Sequence, residues 1–117
     1  GADTDHQARH IGLAIANSPL VKTAIAGDDA NWGRIVMAVG KTGLGIDQQA
    51  IGMKIGGFQV AANGMRVDNY DETPIAAHMQ TASIDIAVSV GAGVGMATVY
   101  SCDLTHDYIS INADYRS

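Results

Sequence analysis

The chain has 117 residues and a formal net charge of −5, and its residues are 47% hydrophobic but only 5% aromatic. That length fits one domain or a segment of a larger one, and an acidic chain with no basic, aromatic-interleaved stripe is a poor partner for nucleic acid. The single cysteine, Cys102, excludes an intrachain disulfide and a cysteine-rich metal site and points to a reduced, cytoplasmic setting. No apolar run reaches the roughly 18 residues a membrane span needs.

The opening stretch GADTDHQARH is polar, lacks a signal-peptide pattern and starts at the lip of a helix, as though cut from something longer. The pattern predicts a helix over 3–17, with Thr4 and Gln7 as a capping box and Ala8, Ile11, Ala14 and Ile15 as its apolar stripe. Ser18-Pro19 stops it, and LVKTAIAGD reads as a short link. A second helix begins near Asn31, with Trp32, Ile35, Val36 and Val39 on one face and Gly40 and Gly43 as stop signals. Ile51, Met53 and Ile55 alternate as a strand, Gly56-Gly57 turns the chain, Phe58 and Val60 resume the alternation, and Asn63-Gly64 turns it again. YDETPIAAHM reads as a helix with Thr73 as cap and Pro74 at its first position. SIDIAVSV, MATVYSCDL and DYISI read as three antiparallel strands. The expected order is α-α-β-β-α-β-β-β: an α+β fold with helices packed on a largely antiparallel sheet.

Several motifs invite a chemical reading and fail it. His6 and His10 form H-x-x-x-H, but Gln7 stands where the zinc-protease motif needs a glutamate, so a solvated helix face is expected and no metal site is assigned. Gly91, Gly93 and Gly95 lack the third glycine of the dinucleotide fingerprint, whose place Met96 takes, and a glycine-rich hairpin between strands is expected instead. Cys102 has only His106 near it in sequence, so a buried, inert strand cysteine is expected. His78 is expected to be structural or exposed.

Asp28 and Asp29 remain. One carboxylate suffices to cap a helix. With Asp29 as the cap, worth about 1 kcal/mol, Asp28 is spare and either decorates the surface or holds a cationic ligand group. The closing INADYRS is expected to fray by composition, or to fold back and present Asn112, Tyr115 and Arg116.

Two stretches carry a resemblance. SPLVKTAIAGDDANWGRIVMAVGK and CDLTHDYISINADYRS are similar to signature motifs of the glutamate N-acetyltransferase (ornithine acetyltransferase) family of arginine biosynthesis, and the likeness runs through the middle, including the YDE at Tyr70–Glu72. It covers essentially the whole chain. The resemblance implies the sandwich-like α/β architecture of the DmpA/ArgJ type. It implies acetyl transfer from N2-acetylornithine to glutamate by a multifunctional enzyme that cleaves itself into α and β chains. The nucleophile is then a new N-terminal threonine whose amine is the base. That threonine, the cleavage motif and the oxyanion-hole Thr-Gly pair are absent here. Residues 1–117 are therefore expected to be the C-terminal part of a β chain, inactive alone and working within an oligomer of αβ units. No cofactor is implied; acetyl-CoA enters only as an alternative acetyl donor.

By the same resemblance the substrate-binding residues are Asp28, where the family has glutamate, Asn112 and Ser117, with ornithine, N-acetylornithine and glutamate as ligands. Asp28 is one methylene shorter than the family residue. An alternative expectation is a non-catalytic scaffold or association module with no retained ligand contact.

Overall fold

A computed structural model describes residues 1–115 of the chain. Its elements are α1 (Asp5–Ala16), α2 (Pro19–Ala26), α3 (Trp32–Gly40), a 3-10 turn at Gln48–Ala50, β1 (Gly52–Ile55), β2 (Phe58–Ala62), β3 (Met65–Arg66), α4 (Glu72–Met79), β4 (Ile86–Ser89) and α5 (His106–Asp114). The strands form one antiparallel sheet in the order β3-β2-β1-β4. The α+β class and the helix-on-sheet layering are as the sequence predicts; besides the short β3, which the expected order lacks, the element order differs in three places.

The first difference is α2, expected as a link. Ser18-Pro19 does end α1, but the same two residues start the next helix: Ser18 Oγ accepts from Val21 N–H, and Pro19 stands in the first turn, where its missing donor costs nothing. The second lies after β4. MATVYSCDL forms no strand; it runs extended beside α1, with Val99 against Gly12, Met96 N–H donating to Asp5 and Ser101 Oγ donating to the Ala16 carbonyl. The third is DYISI, which lies in α5 and not in a strand. A run of five residues is too short for its pattern to decide between strand and helix.

The core follows from the sheet's inner face. Met53 and Ile55 of β1 and Val60 and Ala61 of β2 pack with Val21, Ile35, Ala38, Ile75 and Met79 from the helices. A second cluster joins Ile11, Val39, Ile51 and Val90. Both two-residue turns expected of Gly56-Gly57 and Asn63-Gly64 are present, with all four residues at positive φ, the geometry that suits the twist of a hairpin. Within β2, Met53 pairs with Ala61 while Lys54 pairs with Gln59, so Val60 is an extra residue, a β-bulge. Both Val60 and Ala61 consequently face inward, each fully buried.

The glycine run at 91–95 is not a hairpin. It lies antiparallel to the first residues of the chain, with Gly93 N–H donating to Gly1 O at 2.9 Å and Gly95 N–H to Ala2 O at 2.7 Å. A Cβ at Gly93 or Gly95 would collide with the carbonyl oxygens of Ala2 and Thr4. Close backbone approach is what the missing side chains allow. For α4 the cap is Asp71, whose carboxylate accepts from Thr73 N–H, and Pro74 sits at the third helical position. Thr73 is the expected cap, but the helix begins two residues earlier and the amide of Thr73 is the donor that Asp71 satisfies.

Candidate functional site

The two aspartates lie in the turn between α2 and α3. Helix α2 ends in a Schellman motif: Asp28 N–H donates to Ile25 O at 3.0 Å, and Asp29 N–H to Ala24 O at 2.9 Å. In that motif the residue after the C-cap takes a left-handed conformation. Gly27 is the C-cap at φ −88°, so the left-handed position falls on Asp28 at φ 55°. Glycine is the usual occupant. Asp tolerates this conformation better than most residues yet still carries a Cβ penalty of about 1 kcal/mol. Asp28 also stands at the carboxyl end of α2, where the helix's partial charge is negative and a carboxylate is disfavoured. It is exposed, and no group among the described residues donates to its carboxylate.

Asp29 is not the cap of α3. Asn31 is: its Oδ1 accepts from Arg34 N–H at 3.1 Å, and its Nδ2 donates to Asp29 Oδ2 at 3.0 Å. Asn31 directly precedes the first helical residue and reaches the third helical amide without distortion. Asp29 instead fixes the orientation of the capping amide. Two tight backbone bonds, Asn31 N–H to Asp29 O and Trp32 N–H to Ala30 O, bend the chain from one helix into the next. The backbone of Asp28 closes the end of α2, but its carboxylate is left with no part in either cap.

Two further residues belong to this mouth. Tyr70, like Ala30 and Trp32, packs against the edge of the core, with the Arg66 guanidinium 5.5 Å from its ring centroid. Burial pushes the Tyr70 phenol up from its ordinary value of 10.0; Glu72 and, more weakly, Asp29 push the same way, against the pull of Arg66. The sequence marked the YDE stretch but assigned Tyr70 no place near the acidic turn. Arg34, one turn into α3, donates to Leu20 O at 2.8 Å and ties α3 back to α2. The crevice beneath the turn, lined by Asp29, Asn31, Ile25, Ile55 and Ile86, holds about 10 Å³, room for a single water. A larger groove of about 190 Å³, between Asn17, Leu20, Arg34, Met37 and Lys41, contains none of the expected site residues.

Asn112 lies on α5, exposed, with Nδ2 donating to Tyr108 O at 2.8 Å. No hydrogen bond among the described residues joins it to Asp28. Ser117 lies outside the described residues. Cys102 is exposed and not buried, because its segment runs over the surface of α1 and α2 and not through the sheet; Lys22 Nζ is 4.0 Å from its sulfur. His78 is structural: its Nε2 accepts from Asp85 N–H at 2.9 Å, and its ring lies over Gly56. His6 and His10 are exposed on α1. Among the described residues no helix is long and apolar enough to cross a membrane.

Comparison with known proteins shows the family and the fold. The ArgJ family model matches residues 1–117. The chain is 60% identical over 117 residues to the arginine biosynthesis bifunctional protein ArgJ of Zymomonas mobilis, covering 100% of this chain and 29% of that protein. It is 57% identical to the protein of the same name from Gluconobacter oxydans, covering 100% and 28%. The crystal structure of the arginine biosynthesis bifunctional protein ArgJ from Bacillus halodurans superposes with a TM-score of 0.91 at 37% identity, over 98% of this chain and 54% of that one. The chain thus spans under a third of the length of the curated relatives it matches. With the family model matching from the first residue to the last, the chain belongs to the ArgJ family.

Proposed function

We propose that this chain is the C-terminal part of the β chain of an ornithine acetyltransferase in arginine biosynthesis, and that it supplies substrate-binding groups to a site completed by the rest of the β chain and the α chain. The observation that carries this reading is Asp28. An acid is kept where backbone geometry favours glycine and the helix field disfavours a negative charge. Local strain of this kind is retained where the side chain has another use. A carboxylate exposed beside a rigid turn suits the ammonium group of an ornithine-like ligand. Asn112 and Ser117 would complete the polar contacts, as hydrogen-bond partners for the ligand's carboxylate or amide.

In the complete protein the threonine hydroxyl attacks the acetyl carbon of N2-acetylornithine. The amide C–N bond breaks, and the hydroxyl proton passes by way of the threonine amine to the departing nitrogen of ornithine. The amine of glutamate then takes the acetyl group from the ester and returns a proton to the threonine oxygen. This chain's share is to bind and orient the ligand, not to form the ester.

The test is kinetic. In the full-length protein, Asp28→Ala is expected to lower kcat/KM for acetylornithine about 10- to 100-fold, the worth of one charge-assisted hydrogen bond, with an unchanged circular-dichroism spectrum. Unchanged kinetics would remove Asp28 from the site. The second reading, an association module without ligand contact, is favoured by the exposed Tyr108, Ile109 and Ile111 of α5. It predicts that Tyr108→Ala, Ile109→Ala and Ile111→Ala together disturb assembly, and that removing the last six residues leaves ornithine binding intact.

A further inference from the structure

Lys22 links the two parts of the chain from which the proposed ligand contacts come. It sits in α2, six residues before Asp28. Its Nζ donates to Ser101 Oγ at 3.0 Å and to Cys102 O at 3.1 Å. Its own carbonyl accepts from Leu104 N–H at 3.3 Å. Ser101 Oγ passes its hydrogen on to Ala16 O, 2.8 Å away at the end of α1. Residues 101–104 are thus held to α1 and α2 at three points, Ser101, Cys102 and Leu104. Thr105 and α5 follow directly, so this grip sets where α5, and Asn112 on it, begins. Few other contacts do so: α5 buries none of its side chains.

We propose that Lys22 is a positioning residue for the substrate site, clamping the segment that carries Asn112 onto the helix whose far end presents Asp28. The inference rests on the reading of Asp28 and Asn112 as ligand contacts. Lysine suits the task because one ammonium can donate to a hydroxyl and a carbonyl together, on a stem long enough to cross from helix to strap.

The test measures acetylornithine kinetics in the full-length protein. Lys22→Met keeps the stem and removes the donors. It is expected to raise KM about 5- to 20-fold, the order of one or two lost charge-assisted hydrogen bonds, with kcat changed less than about threefold. Lys22→Arg should recover most of that loss, since a guanidinium also donates to two acceptors. Lys22→Met added to Asn112→Ala should be no worse than Asn112→Ala alone, because a clamp acts only through what it positions. A residue serving stability alone would give additive losses and no split between KM and kcat. Ser101→Ala, which removes one acceptor from the clamp, gives the same reading if Lys22→Met does not fold. If Asp28→Ala and Asn112→Ala raise KM while Lys22→Met does not, or if the double variant is additive, the clamp is overturned and the site stands. If neither Asp28→Ala nor Asn112→Ala moves KM, the site reading fails and the clamp fails with it.

Discussion

Residues 2–90 contain every buried hydrophobic side chain of the described structure; between residues 91 and 115 only Gly95 is buried. The two regions do not differ in apolar content as the sequence is read. Tyr100, Tyr108, Ile109 and Ile111 are as hydrophobic as the side chains that fill the sheet's inner face, yet they stand 60 to 91% exposed. What separates the regions is partners. The first has four paired strands with helices to cover them. The second has one strap across α1 and α2 and a helix beyond it. The radius of gyration, 15.0 Å, exceeds the ~13 Å expected of a compact chain this long, which agrees with α5 lying outside the packed body. A hydrophobic pattern specifies a face for burial; it does not supply what buries it.

The contrast can be broken by experiment. Met53→Ala removes a side chain that is 1% exposed and should cost about 2–5 kcal/mol in equilibrium unfolding. Ile111→Ala, at 68% exposed, should cost less than about 0.5 kcal/mol. Similar losses at the two positions would erase the distinction. Gly95→Ala attacks the seam between the regions. The added methyl meets the Thr4 carbonyl, so a loss of about 2 kcal/mol is expected, together with faster amide exchange at Met96, whose N–H bonds to Asp5.

Asp28→Gly should act in the opposite direction. Relieving the left-handed penalty and the unfavourable helix field should stabilise the chain by about 0.5–1 kcal/mol, seen as a Tm rise of a few degrees, while full-length activity falls. A destabilised Asp28→Gly would mean that the carboxylate serves the fold. The smallest effect concerns Tyr70. Its folded pKa is raised, so its contribution to stability is complete below the unfolded value of about 10 and is lost as pH climbs through the folded one. Tyr70→Phe should flatten that alkaline decline, and identical pH profiles for the two proteins would show that the phenol is not held away from water.

Much of the body was legible. Thr4 caps α1 as its spacing with Gln7 suggests, with Gln7 N–H 3.1 Å from Thr4 Oγ1. The stripe of Ile35 and Val39 faces inward, and both hairpin turns fall at their glycines. The misses have physical causes. Ser-Pro is a stop signal and a start signal at once, and only contacts beyond the window say that it serves as both. Asp29 is the cap the sequence suggests, but Asn31, two residues on, stands next to the first helical residue Trp32 and takes that place. The strand expected at MATVYSCDL has no strand to pair with among the described residues, and pairing requires an edge that a sequence pattern cannot locate. For the site, the resemblance pointed to the acid at 28. That it occupies a glycine's conformation could not be read from the residues, since Gly27 lies next door and invites the wrong assignment. The Lys22 grip joins residues some eighty positions apart, a distance over which no local pattern speaks.

The bulge at Val60 has its own consequence for how this protein tolerates change in length. A regular five-residue strand would turn only alternate side chains inward; the additional residue lets two neighbours do so, which suits an interior with one phenylalanine and one tryptophan to draw on. Deleting Val60 would leave Gln59 and Ala61 on their present faces and restore a regular ladder. The shortened hairpin would pair without fault and enclose a void.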